Sequence, residues 1–384
     1  MGLLRVSFLW IFTFLLVLGS SLSASAAEAP AITADSAILV EATTGRVVYE
    51  KNADEERPPA SMTKMMTCIL ALEQLRPRTL VTISPVAANT EDVALDWKPG
   101  EQLEAQELLK ALMMISENGA AVALAQHISG NLPRFSTLMT EKAEKLGCKN
   151  TQFRNPNGLP NPEHYSTARD MAKIAMYCLK NKEFRNLVGQ VKSDMRWASP
   201  KGKSEVLENT NELLETYPGA TGIKTGWTSA AGGCLAASAK RNGVELIVII
   251  MHADDTRTRF EDASKLLDYG FSQVKLEKGI NKDRVDKKVW VKGGKSASVS
   301  VGPAEDVNYP LMNGEDASRY SVEYDVPFVM EAGIKKGQKV GDMVIKYENK
   351  PVARVPVVAH ESVTKGFSVS STLIGFVTSL MNVG

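Results

Sequence analysis

Ser61-Met62-Thr63-Lys64 sets a hydroxyl and an amine three positions apart, which on a helix places them on one face within reach of each other. A serine at a helix start lies at the positive end of the helix dipole, with its own N–H left unpaired by the helix. A lysine that is partly desolvated and close to a second cation loses its proton more easily and can serve as a base. Ser116-Glu117-Asn118 adds a second hydroxyl and an amide. Lys224-Thr225-Gly226 adds a fixed positive charge, a hydroxyl suited to a carboxylate, and a glycine that lets a substrate backbone lie against a strand edge. The N–H of Trp227 can join that of Ser61 as an oxyanion hole. Taken together, these residues are equipped for acyl transfer through a serine ester, with lysine in place of histidine as the proton carrier.

Each triplet is weak alone. The S-x-x-K pattern recurs at Ser272 and Lys275 and at Ser362 and Lys365, and Ser129-Gly130-Asn131 repeats S-x-N. Setting separates them. Pro58-Pro59-Ala60 ends an extended segment immediately before Ser61, and Ser116 falls in a tight break between two apolar helical stretches. Ser129, by contrast, ends a helix at Gly130, a natural C-cap.

The elements that must position these groups are legible in outline. Residues 37–49 read as a hairpin turning near Thr44-Gly45. A helix is expected over 62–75, two more over 103–115 and 120–128, and another from Ser166 with Thr167 and Asp170 as a capping box. Strands are expected over 217–226, 233–239 and 244–251, the last two joined at Asn242-Gly243, a strong hairpin turn, followed by a helix over 259–269. Strands at both ends of a helical middle predict an α+β catalytic domain. Beyond it, β-prone runs at 289–291, 297–301, 320–324, 339–347 and 352–358, separated by Gly, Pro, Asn and Lys, predict a small all-β module.

The 384-residue length suits two domains, and 44% hydrophobic with 23% charged residues is ordinary for a globular chain. A formal net charge of +1 leaves no basic footprint for nucleic acid. Residues 1–26 read as a secretory signal: Arg5, an apolar run over 8–18 broken only by Thr13, and the cleavage pattern Ala24-Ser25-Ala26. Cys68, Cys148, Cys178 and Cys234 have no metal-finger spacing and are expected to be buried free thiols. With four scattered histidines, no metal or cofactor is expected. Over 363–384, Leu373, Ile374, Val377, Leu380 and Met381 form one helical stripe, which predicts an amphipathic helix on a membrane surface, with Lys365 its only cation.

The chain resembles the low-molecular-weight penicillin-binding proteins of the serine-type D-Ala-D-Ala carboxypeptidase family. The likeness rests on Pro59-Ala60-Ser61-Met62-Thr63-Lys64, on Ser116-Glu117-Asn118 with the following Ala120-Ala121-Val122-Ala123-Leu124-Ala125, and on Asn155-Pro156-Asn157-Gly158-Leu159. It continues through Ser166-Thr167-Ala168-Arg169-Asp170, Gly222-Ile223-Lys224-Thr225-Gly226 and Leu266-Leu267-Asp268-Tyr269-Gly270-Phe271.

The resemblance implies a penicillin-binding/β-lactamase-like domain with a central antiparallel sheet over 27–275, a small β-sandwich over 276–362 and a membrane-associating helix over 363–384. It implies an enzyme that removes the terminal D-Ala from peptidoglycan stem pentapeptides outside the cytoplasm, is inhibited by β-lactam antibiotics, and serves cell-wall maturation. Ser61 would be acylated by the penultimate D-Ala. Lys64 would be the base for acylation and for the deacylating water, and Ser116 would relay a proton to the leaving amine. Asn118 would hold the substrate amide, Lys224 would sustain the positive field, and Thr225 would contact the terminal carboxylate. Arg259 stands where a family arginine is linked to carboxylate binding. Trp227 departs from the smaller or imidazole-bearing residues common after K-T-G.

Two other readings compete. A class A β-lactamase would add a glutamate in an E-x-x-L-N setting, and between Asn118 and Lys224 neither Glu141, Glu144 nor Glu163 is followed that way. A non-catalytic penicillin-binding or wall-sensing protein would be tied to a spanning helix, and no such segment follows the signal.

Overall fold

The computed structural model describes residues 28–92, 94–285 and 287–367. The signal reading over 1–26 and residues 368–384 of the expected terminal helix lie outside them.

A five-stranded antiparallel sheet forms the centre of the catalytic domain. Its strands are β1 (Ser36–Glu41), β2 (Val47–Lys51), β3 (Ala220–Thr228), β4 (Gly232–Arg241) and β5 (Val244–Ala253), in the order β2-β1-β5-β4-β3. The β4–β5 turn is the expected one, with Asn242 at φ 50° and Gly243 at φ 82°. Strand β5 is buried on both faces, and its period-two alternation sorts its side chains to two sides. Ile247, Ile249 and Met251 face one core with Ile38, Met65 and Ile69. Leu246, Val248 and Ile250 face the other with Leu39, Phe260 and Leu267.

The first core is covered by helices α1 (Lys64–Gln74), α2 (Ala105–Met114), α3 (Asn118–Ser129) and α4 (Ala168–Leu179), the second by α5 (Thr258–Gln273). The capping box at α4 closes in one direction only. Thr167 accepts from the N–H of Asp170 at 3.1 Å. Asp170 turns instead to the N–H groups of Lys149 and Asn150 and the hydroxyl of Thr151. All four cysteines are free and buried, as expected.

Strand β3 is the edge of this sheet, and Lys224-Thr225-Gly226 lies on it. An edge strand keeps one side of its backbone unpaired, the arrangement needed to receive an extended peptide.

The chain then enters an all-β module. A six-stranded sheet and a two-stranded ladder, Val274–Ile280 with Val307–Met312, share one core that includes Ile280, Val291, Val307 and Val357. The ladder was not expected. Its first strand follows α5 without a Gly or Pro break, and Pro310 argues against a strand, although a ladder edge tolerates it.

The module is tied to the β1–β2 turn. Arg46 donates to the Pro310 carbonyl at 3.2 Å and to Tyr320 Oη at 2.9 Å, pairs with Glu315, and lies 3.8 Å from the centre of the Tyr347 ring. Residues 363–367 correct the expected start of the terminal helix. Val363 bridges to Ile334 and is buried in the module core, and Lys365 bridges to Gly294. Burial of Val363 against the sheet edge holds this stretch extended. Among the described residues, no helix is long and apolar enough to cross a membrane.

Candidate active site

Ser61 lies in a single 3-10 turn, Ala60–Thr63, that leads into α1. Ala60 holds a left-handed φ of 48°, a conformation that costs a non-glycine residue energy and persists only where packing imposes it. The packing is visible on both sides. A Cβ on Gly226 of β3 would come within 3.0 Å of the Ser61 nitrogen, and one on Gly158 would overlap the Ala60 carbonyl. Gly158 itself has φ 89°. Glycine at both positions allows the strand and the 155–159 loop to close on the Ala60–Ser61 backbone.

Lys64 is fully buried. Its Nζ lies 2.8 Å from Ser61 Oγ, 2.7 Å from Asn118 Oδ1 and 2.7 Å from the Asn157 carbonyl oxygen. Burial pushes the amine down to about 7, with Glu117 pulling the other way. Amide and carbonyl oxygens only accept, so a neutral Lys64 donates its two N–H bonds to Asn118 and Asn157. Its lone pair then faces the Ser61 hydroxyl, the orientation a general base requires.

Ser116 sits in the break between α2 and α3 in a left-handed conformation, φ 63°, and is half-buried. Asn118 Nδ2 donates to the carbonyls of Glu91 and Asp92, at 3.0 and 3.1 Å. Glu117, between the two, is buried and accepts from the N–H groups of Ala94, Leu95 and Gly119 and from Trp97 Nε1. The triplet therefore also anchors Glu91, Asp92, Ala94, Leu95 and Trp97, a task its spacing did not reveal.

On β3, Lys224 is buried and bonds the Thr225 carbonyl at 2.9 Å. Burial holds its amine well below the usual lysine range, and the positive charges of Lys64 and Arg259 add to this. Thr225 Oγ1 is 2.7 Å from Thr210 Oγ1, a partner that sequence reading missed. Trp227, at the end of the row, is 55% exposed.

Arg259, at the start of α5, is buried and donates from Nη1 to the Gly226 carbonyl at 2.7 Å, while its Nε has no partner among the described residues. Burial lowers its affinity for its proton. A place on the helix surface is thereby excluded.

The decoys lie elsewhere. Gly130 ends α3 at φ 82°, and Asn131 caps the next helix through the Arg134 N–H. Ser272 closes α5, and Ser362 precedes the extended end of the module. Glu141, Glu144 and Glu163 are all exposed, and Glu163 is paired with Arg154.

An edge strand carrying K-T-G, a serine–lysine pair at a helix start and an S-x-N break together define a serine acyl-transfer enzyme of the penicillin-binding class. The family described as D-alanyl-D-alanine carboxypeptidase matches residues 23–255, and that described as penicillin-binding protein 5, C-terminal domain, matches residues 274–365. The chain belongs to the D-alanyl-D-alanine carboxypeptidase family.

D-alanyl-D-alanine carboxypeptidase DacF of Bacillus subtilis is 36% identical over 352 residues, which cover 90% of this chain and 88% of the relative. DacC of Escherichia coli is 32% identical over 358 residues, 88% of this chain and 86% of the relative. Among solved structures, penicillin-binding protein 5 of Haemophilus influenzae matches 88% of this chain and 99% of its own, with TM-score 0.64 and 28% identity. PBP3 of Streptococcus pneumoniae matches 88% of this chain and all of its own, with TM-score 0.71 and 26% identity. The protein is a serine-type D-Ala-D-Ala carboxypeptidase with a catalytic domain and a C-terminal β domain.

Proposed function

We propose that Ser61 is the residue acylated by the stem peptide and by β-lactams, with Lys64 as its base. The observation that carries this is the 2.8 Å approach of a buried amine to Ser61 Oγ, with two carbonyl-type acceptors fixing the direction of its lone pair. Ser61 Oγ attacks the carbonyl carbon of the penultimate D-Ala while its proton passes to Lys64. The oxyanion forms between the N–H groups of Ser61 and Trp227. Collapse breaks the C–N bond, and the leaving D-Ala amine takes the proton from Lys64, relayed through Ser116, which leaves the lysine neutral again. Lys64 then deprotonates the water that attacks the ester and returns that proton to the departing Ser61 oxygen. Thr225, with Lys224 and Arg259 behind it, receives the terminal carboxylate, and Asn118 and the Gly226 edge align the peptide.

No exposed glutamate of the 141–163 segment stands ready to drive water onto a penicilloyl ester, so a β-lactam adduct is long-lived. The test is D-Ala release from a stem pentapeptide by the purified mature protein. Release that disappears in Ser61→Ala supports the assignment, and release that survives the substitution refutes it.

Family membership implies work outside the cytoplasm, on peptidoglycan. The finer localisation we propose is export by residues 1–26 and attachment to the outer face of the cytoplasmic membrane through the apolar residues Leu373, Ile374, Phe376, Val377, Leu380 and Met381. Lys365, held at the module edge, contributes little charge to that attachment, so vesicle binding should respond weakly to salt. Mature protein that fails to pellet with anionic vesicles at low salt would refute the anchor.

A further inference from the structure

His164 is 3% exposed, and sequence reading gave it no role. Its two ring nitrogens have different partners. The main-chain N–H of Arg154 points to Nδ1 at 3.2 Å, and since a main-chain N–H only donates, Nδ1 carries a lone pair. The proton of the neutral ring is therefore on Nε2, which donates to Thr63 Oγ1 at 2.9 Å. Burial pushes the imidazole down to about 4, so the ring is neutral across neutral pH. The Phe153 ring, 5.5 Å away edge-on, completes the ring's setting.

Between Arg154 and His164 runs the loop that carries Asn157. Its ends are joined by the exchange of main-chain bonds between Gln152 and Tyr165. Its tip is braced by Asn155, which bonds Gly158 N and the Leu159 carbonyl. The loop meets the start of α1 at three points: Thr63 through His164, Lys64 through the Asn157 carbonyl, and Thr67 through the Pro156 carbonyl at 2.6 Å. The first two are neighbours in sequence. Any slackening of the Thr63 contact is thus felt at the acceptor that turns the Lys64 amine.

We propose that His164 is a positioning residue for Lys64: its Nε2–H, held by Thr63, keeps the Asn157 carbonyl where it directs the lone pair of the amine at Ser61. This rests on the reading of Lys64 as the base. The titratable groups around Lys64 are Glu117 from the start of α3 and the amine of Lys224 on β3, which in turn feels the charge of Arg259. Among the described residues His164 has no charged partner, so replacing it changes the setting of Lys64 without removing a charge.

The test is the rate of penicillin acylation, followed by mass spectrometry over about pH 5–9, for the wild type, His164→Phe, His164→Gln and Thr63→Val. Phenylalanine keeps the ring's volume and removes both polar atoms, while glutamine places an amide N–H where Nε2 stood. Loosening the loop admits water to Lys64 and raises the affinity of the amine for its proton. His164→Phe and Thr63→Val should slow acylation by about tenfold near neutral pH and move the acid limb up by roughly half a unit or more. His164→Gln should recover most of the rate.

Wild-type rates and an unmoved acid limb in His164→Phe, even with a lowered melting temperature, would overturn the proposal. Should that variant not fold, Thr63→Val, which loses a single hydroxyl, decides by the same two readouts. A wild type that forms no Ser61 adduct would overturn the reading of Lys64 and this proposal with it, a failure distinct from unchanged variants of an active enzyme.

Discussion

The guanidinium of Arg259 reaches the main-chain carbonyl of Gly226 from the far side of the edge strand, at 2.7 Å. It thereby ties α5 to the residue that lies against Ser61 and puts a guanidinium one residue from Thr225 on the strand. A charge in that position acts on the substrate carboxylate as a field and on the strand as a clamp. Arg259→Leu should slow D-Ala release by about 1.5–3 kcal/mol, the range for a hydrogen bond to a charged group, and penicillin acylation by less. The two second-order rate constants measured side by side check this. Equal losses would leave Arg259 a clamp alone.

Thr225→Ala should affect the two substrates in the same unequal way. The peptide's carboxylate must be held for its scissile bond to align, whereas the strained lactam is already reactive. The expected loss for the peptide is again about 1.5–3 kcal/mol. Thr210→Val, which removes only the 2.7 Å partner of the Thr225 hydroxyl, should produce a smaller loss with the same bias. Peptide and lactam kinetics on both variants decide whether Thr225 distinguishes them.

Acylation should rise with pH. Burial brings Lys64 down to about 7, and only the neutral amine accepts the serine proton, so the rate climbs as pH passes through that value. The stability contribution has the same sign. A lysine whose folded affinity for protons is depressed binds fewer protons than in the unfolded chain, so stability rises between about 7 and the ordinary lysine value. Glu117 opposes the depression, and Glu117→Gln should move the acid limb of the acylation profile down. An unmoved or raised limb in that variant would remove Glu117 from the electrostatics of the base.

Arg46 joins the two domains, and its loss should be felt in stability but not in chemistry. Arg46→Ala strands Glu315, which still accepts from Tyr347 and from the Met312 N–H. A partly buried pair lies between exposed and fully buried ones, so a cost of about 1–3 kcal/mol is expected. Thermal unfolding should show that loss while the penicillin acylation rate is kept. A variant that unfolds like the wild type would mean that the domains do not depend on this contact.

Much of the site was legible because it is made of side chains with distinctive chemistry in a fixed order. Ser61, Lys64, Ser116, Asn118 and the Lys224–Gly226 row are read from type and spacing, and the structure joins Lys64 to Ser61 and Asn118 and sets Gly226 against Ser61. Other parts were hidden for physical reasons. The third acceptor on Lys64 is the carbonyl of Asn157, and a main-chain oxygen carries no residue identity. Glu117 looked like a spacer between two functional residues, since nothing in the sequence announces that its carboxylate meets four N–H donors. The resemblance places Arg259 at the site, but its helix pattern does not say that it is buried; the packing of α5 on the sheet does that. In the β module, Pro310 disguised a strand, and Val363 looked like part of a terminal helix because its burial partner, Ile334, is distant in sequence.

The assignment of Ser61 and Lys64 is tested most directly by intact-mass and peptide-mapping mass spectrometry of the mature protein after exposure to penicillin. A single adduct is predicted, carried on the peptide containing Ser61, persisting long after excess drug is removed, and absent from Ser61→Ala. An adduct on any other residue, or one lost by rapid turnover, would contradict the account.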